Sequence, residues 1–207
     1  KNLRILFLYP NLNMSTLVPN AISILTAILK QANFNNIDLF DTTFYKSEEI
    51  SKDEDRVKVG QVQPFNFDER NIILKTTDMY KDFTDKVNKF NPDIIFASIV
   101  EDTFPIFINF MELIENKKIL CLAGGVFPSS APERVIKLDF VNYVCRGEGE
   151  GALVDLANAL EEGKDTSKIA NLWVKKNGKI IAKNPIRPAL DVNTLPVQDL
   201  SIFEDIT

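Results

Sequence analysis

Short apolar runs alternate along the chain with longer stretches in which apolar residues recur every three or four positions. The first run, Leu3-Arg4-Ile5-Leu6-Phe7-Leu8-Tyr9, stops at Pro10. A short, nearly continuous run of this kind predicts a strand buried on both faces, as in a parallel sheet. From Pro19 to Lys30, Ile22, Leu25, Ile28 and Leu29 follow a helical spacing, and Pro19 suits a first-turn position. Ile37-Asp38-Leu39-Phe40 predicts the next strand and completes a β-α-β unit. Residues 45–70 break the rhythm with a charged segment punctuated by Gly60 and Pro64, which predicts a surface excursion. A helix is expected over Asn71–Phe90, ending before Asn91-Pro92. Three more strands are expected at Asp93–Val100, Lys118–Ala123 and Phe140–Cys145. The helices between them are Pro105–Asn116 and a short one over Pro132–Leu138. A last helix, Gly149–Glu162, is stopped by Gly163. Strands alternating with helices predict an α/β fold: a doubly wound, parallel, five-stranded sheet, Rossmann-like with flavodoxin-like strand order. Two β runs flank Asn177-Gly178, a strong hairpin signal. Pro185, Pro188 and Pro196 then mark an irregular linker. The expected organisation is an α/β domain over 1–168, with residues 169–207 forming the hairpin and linker.

Composition narrows the function. The 207 residues are 45% hydrophobic and 26% charged, enough for a full core without staples. The net charge of −5 lacks the basic stripe of a nucleic-acid binder, and no nucleic-acid partner is expected. Lys175, Lys176, Lys179 and Lys183 read as a solvated hairpin. No apolar run approaches the roughly 20 residues of a membrane span. The first residues enter a strand directly rather than a signal peptide, so the expected location is cytoplasmic, with no membrane partner. The missing initiator Met suits an excised domain. Cys121 and Cys145 lie inside apolar runs and read as buried thiols. The chain has no histidine and no Cys-x-x-Cys pair. That removes Ser–His–Asp catalysis, cysteine-held clusters and any histidine ligand to a metal. No catalytic or metal-ligating residue is expected within these residues.

In an open α/β sheet the ligand lies beyond the carboxyl ends of the strands. After the first strand come Tyr9, Pro10, Asn11 and Asn13, with no glycine, which argues against a dinucleotide site. After the third come Ser98, Ile99, Val100, Glu101 and Asp102, where Asp102 or Thr103 also suits a helix cap. After the fourth come Gly124, Gly125, Phe127, Pro128 and Ser129. After the fifth come Gly147, Glu148, Gly149 and Glu150. Five of the eight glycines lie between 124 and 151. That concentration predicts a large ligand close to backbone, and the two glutamates disfavour a polyphosphate.

Gly124-Gly125-x-x-Pro128-x-x-x-Pro132-Glu133, followed by Asp139-x-Val141 and Gly147-Glu148-Gly149-Glu150, resembles the N-terminal cobalamin-binding domain of cobalamin-dependent radical S-adenosylmethionine enzymes. Pro92-Asp93-Ile94-Ile95 to Ser98, the Asn177-Gly178 hairpin and Leu195-Pro196 extend the resemblance over nearly the whole chain outside 45–70. The resemblance implies that Gly124, Gly125 and the 147–149 loop lie against the nucleotide tail of cobalamin. Tyr9 to Asn13 with Glu101-Asp102 would lie nearer the corrin. Ser98, Ser129, Ser130 and backbone amides would bond the tail and the corrin amides. Phe127 stands where family members often have histidine, and the family's Cys-x-x-x-Cys-x-x-Cys motif is absent from these residues. The implied whole protein adds a covalently linked radical domain after Thr207, with a 4Fe-4S cluster and S-adenosylmethionine, for methyl transfer or for radical rearrangement or cyclisation. The alternative is a degenerate domain of the same fold that serves as a structural or docking module without cofactor.

Overall fold

Alternate residues of the central strands face opposite helical layers, which is why those strands read as continuous apolar runs. The computed structural model describes residues 1–12, 19–46, 52–61, 63, 69 and 72–206. Strand β1 (Ile5–Tyr9) sends Leu6 and Leu8 into one core and Ile5 and Phe7 into the other. Strands β2 (Ile37–Asp41), β3 (Ile94–Ser98), β4 (Leu120–Gly124) and β5 (Tyr143–Cys145) run parallel to it. Their order is β2-β1-β3-β4-β5, so the winding reverses between β1 and β3. The five parallel strands and their flavodoxin-like order match the expectation.

Helices α1 (Asn20–Gln31) and α7 (Glu150–Glu161) cover one face of the sheet, over a core that includes Ile22, Leu29, Leu153 and Leu156. On the other face, α3 (Met79–Phe90) and α4 (Phe104–Glu112) bring Phe83, Phe107 and Phe110 together with Phe40. Short helices α5 (Val126–Ser130) and α6 (Pro132–Ile136) complete that layer. α5 was not expected and begins directly after the paired glycines.

The structure departs from the sequence pattern in four places. Helix α3 starts at Met79, not Asn71, because the Asp78 carboxylate accepts from the N–H groups of Tyr80 and Lys81 and caps it there. Residues 72–78 form no helix. Lys75 bridges to Tyr45, with Lys46 N–H donating to Lys75 O at 2.9 Å and Lys75 N–H to Phe44 O at 2.7 Å. The 45–70 excursion is therefore clipped at its base. Among its described residues it carries a short helix, α2 (Lys52–Lys58).

The hairpin is not a separate appendage. Its strands β6 (Leu172–Lys176) and β7 (Lys179–Lys183) extend the sheet to seven strands, with β6 antiparallel to β5. Lys175 is also not solvated. A register shift between Val174 and Lys175 turns it inward to 7% exposure, and its Nζ donates to Leu138 O. Residues after Lys183 form a strap rather than a loose linker. Asp199 N–H donates to Ser23 O at 3.1 Å, and Lys30 pairs with Asp199 at 2.5 Å. Ile202 and Phe203 then pack against the α1/α7 core. Cys121 and Cys145 are buried free thiols, as expected. Among the described residues no helix is long and apolar enough to cross a membrane.

Candidate functional site

The reversal of winding places the ends of β3, β4 and β5, with Phe7 of β1, around one slot of about 220 Å³. Its floor is Phe7, Phe96, Leu122 and Cys145, and its walls come from Ala21 and Leu25 of α1 and Leu153 of α7. Ser98, Gly124, Gly125, Gly147, Glu148, Gly149 and Glu150 line it from the strand-end loops. The slot thus brings together residues of three of the four expected loops. Its volume lies below the roughly 300–1,000 Å³ of pockets that enclose a whole small ligand. It suits one planar arm of a larger molecule whose remainder lies outside, on the sheet edge. Val100, in the loop after β3, and Val126, the first residue of α5, are apolar and 47% and 71% exposed.

The glycine-rich loops are tied to each other. Ser129 Oγ donates to Gly125 O at 2.8 Å and accepts from Gly147 N–H at 3.0 Å. Gly125 has φ 104°, and a Cβ there would stand 2.7 Å from Ile99 O. A Cβ on Gly151 would stand 2.1 Å from an Arg187 guanidinium nitrogen. Gly125 is therefore demanded by the protein's own packing, since backbone stands in the way, whereas the Gly151 contact is with the far end of a flexible side chain that can move aside. Gly124 is different, since nothing but ordinary contact, 3.6 Å to Cys145 Cβ, surrounds it.

The other expected residues divide. Tyr9 is half-buried, Pro10 is buried, and Asn13 lies outside the described residues. Asn11 is turned toward the end of β2. Its N–H donates to Thr42 Oγ1 at 2.7 Å and its Nδ2 to Thr43 Oγ1 at 2.9 Å. Ile99 is buried, with its N–H donating to Gly124 O at 2.9 Å and its carbonyl accepting from Phe127 N–H at 3.2 Å. Glu101 and Asp102 are exposed at the loop tip. Thr103 stands at the start of α4 without a side-chain cap bond. Its hydroxyl instead accepts from Val100 N–H at 3.3 Å and closes the turn. Phe127 and Pro128 are buried away from the slot, and the Phe127 ring lies tilted against Phe104 with ring centroids 4.6 Å apart. Phe127 thus belongs to the core of the opposite face.

Several residues that build the site are silent in the sequence. Asn171, fully buried with φ 72°, holds the 146–149 loop from outside. Its Nδ2 donates to Arg146 O and Glu148 O, both at 2.9 Å, and its Oδ1 accepts from Arg187 N–H at 2.9 Å. Glu148 Oε2 accepts from Leu190 N–H at 2.8 Å, so the strap is fastened to the same loop. Ala21 and Leu25 read as ordinary helix positions and gave no sign of lining a slot. Asp41, at the end of β2, accepts from Thr43 N–H at 2.8 Å and Thr43 Oγ1 at 2.5 Å. Burial pushes its carboxyl above the usual range, while those donors pull it back. On the slot floor, burial pushes the Cys145 thiol up to about 12, with Glu150 adding and Arg187 opposing.

Residues 15–157 match the family model of the B12 binding domain. The chain belongs to the B12-binding domain family. It is 28% identical over 130 residues to an uncharacterized methyltransferase, PH0819, of Pyrococcus horikoshii, a match covering 60% of this chain and 28% of that protein. The fold is that of part of the cobalamin-dependent S-adenosylmethionine radical enzyme OxsB (TM-score 0.69, 17% identity, 99% of this chain and 25% of that one). It is equally found in the radical S-adenosylmethionine methyltransferase TsrM from Kitasatospora setae (TM-score 0.62, 19% identity, 89% and 30%). The chain spans between a quarter and a third of the length of these proteins.

Proposed function

We propose that this chain binds cobalamin and is the cofactor-carrying unit of a radical S-adenosylmethionine enzyme. The observation that carries the reading is the slot. It sits where the winding reverses, both glycine motifs line it, and apolar Val100 and Val126, after β3 and at the start of α5, stand exposed. The nucleotide tail would enter between α1 and α7, against Gly124 and Gly149, with Ser98 offering a hydroxyl. The corrin would lie on the strand ends. Cobalt receives no imidazole from this chain, which contains no histidine. When bound, cobalamin would supply a methyl carrier or a partner in radical chemistry. The chain's own residues orient it, exclude water from the tail, and fix the loop beneath it through Asn171.

The relatives support methyl transfer over rearrangement, since PH0819 is an uncharacterized methyltransferase and TsrM a radical S-adenosylmethionine methyltransferase. The 4Fe-4S cluster and S-adenosylmethionine would belong to a radical domain linked after Thr207. A Cys-x-x-x-Cys-x-x-Cys motif in the sequence that follows Thr207 is the expected mark of it.

The test is retention of hydroxocobalamin. Protein incubated with the cofactor and desalted should keep the corrinoid visible spectrum at near one equivalent. A folded but colourless protein would overturn the reading in favour of a docking module.

A further inference from the structure

Among the described residues lining the slot, one buried side-chain polar atom has no hydrogen-bond partner. It is Oε2 of Glu150, the first residue of α7. A neighbouring cation, Arg187, makes no hydrogen bond to it, although Arg187 Nε is itself buried without a hydrogen-bond partner. Arg187 gives its Nη2 to Asp155 Oδ2 at 2.9 Å and to Ala170 O at 3.5 Å, and it makes no ion pair with Glu150. The companion glutamate, Glu148, already receives Leu190 N–H. Around Glu150 the slot is largely apolar, from Phe7, Leu25, Phe96, Leu122 and Leu153. A carboxylate only accepts hydrogen bonds, and leaving one of its oxygens dry and unpaired is costly. An occupant that fits these walls is planar and apolar on its faces, and it carries a donor on its edge.

We infer that Glu150 selects the base of the cofactor's nucleotide tail, favouring one with an N–H donor, such as an aminopurine. The neutral dimethylbenzimidazole of cobalamin offers only a ring nitrogen that accepts. Resting on the cobalamin-binding reading above, the inference adds to it a preference among corrinoids that differ only in the tail. Glu150 acts here as a specificity-determining residue, and the apolar walls contribute affinity without discriminating between flat bases.

Wild type, Glu150→Gln and Glu150→Leu are titrated with cobalamin and with the corresponding adenine-bearing cobamide, followed by visible spectroscopy. Wild type is also titrated with cobinamide, which lacks the tail. The readout is the ratio of the two cobamide affinities in each protein, which a general loss of binding leaves untouched. Wild type should prefer the adenine form by about tenfold or more, the worth of one hydrogen bond to a charged group. Glu150→Leu should erase that preference, and Glu150→Gln, which keeps a carbonyl acceptor, should retain part of it. Equal wild-type affinities, a preference for cobalamin, or a ratio unchanged in Glu150→Leu overturns the inference while leaving corrinoid binding intact. If cobinamide binds wild type as tightly as both cobamides, the tail does not use the slot and the inference falls. If none of the three binds, the cobalamin reading fails and takes this inference with it.

Discussion

Replacing Gly125 with alanine isolates what the paired glycines do for the fold. The residue sits at φ 104° and ψ −170°, a region essentially restricted to glycine, where a side chain costs roughly 1–3 kcal/mol. The added methyl would also stand 2.7 Å from Ile99 O and 2.8 Å from Ile99 N. Ile99 has little freedom to yield, because its N–H is bonded to Gly124 O and its carbonyl to Phe127 N–H. Forced overlap of this kind adds about 1–3 kcal/mol. The sum, about 2–6 kcal/mol, is a large part of the roughly 5–15 kcal/mol that holds a domain folded. At about 2–4 °C per kcal/mol for a chain of this size, Tm should fall by at least about 4 °C. The control is Gly124→Ala, whose methyl would meet nothing nearer than 3.6 Å and should leave stability within about 0.5 kcal/mol. Urea unfolding followed by circular dichroism compares the three proteins. If Gly125→Ala unfolds within about 0.5 kcal/mol of wild type, the claim that this turn is locked against the β3 loop is refuted. The comparison also guards the cofactor assay, because lost binding in a Gly125 variant reports a damaged fold, whereas Gly124→Ala reports the slot itself.

Two further outcomes follow from buried groups. Burial raises both thiols, Cys145 to about 12, so the folded state holds protons that the unfolded chain releases from about pH 8.5. Their contribution is intact below that pH and is lost as pH rises toward about 12, at up to about 1.4 kcal/mol per pH unit per thiol. Urea midpoints at pH 7.5 and 9.5 should fall less steeply in Cys145→Ala than in wild type; equal slopes would contradict the burial argument. Asn171→Ala strands Arg146 O, Glu148 O and Arg187 N–H, and should destabilise by about 3 kcal/mol or more. It should also open residues 185–206 to limited proteolysis, and unchanged cleavage would show that the strap is held by other contacts.

Much of the architecture was legible because the central strands are buried on both faces, so their apolar runs announce themselves. Element ends were less legible where a polar side chain decides them. The Asp78 cap shortens α3, and nothing in hydrophobic periodicity reveals which of several polar residues will cap. The hairpin was visible from Asn177-Gly178, but its pairing with β5 was not, since pairing partners distant in sequence leave no local trace. At the site, both glycine motifs line the slot, but ligand approach does not account for every glycine in them. Gly125 answers to the Ile99 backbone, a contact that exists only in three dimensions. Phe127 looked like a site residue because it sits beside the glycines, yet α5 turns it into the opposite core. Asn171, just before β6, holds the 146–149 loop through bonds to Arg146 O and Glu148 O that no sequence pattern reveals.

The hairpin has a consequence of parity. Strand β5 ends at the slot side of the sheet, and β6 begins there, with Leu172 opposite Cys145. One antiparallel strand carries the chain away to the far side, and the second, β7, returns it, with Lys183 opposite Trp173. An even number of reversals therefore delivers residue 184 and its successors to the side where the slot opens. A single added strand would have released them at the opposite rim, some 15 Å away by strand rise. The two strands act as a there-and-back leash, so that whatever the chain does after Lys183 begins on the side where the slot opens.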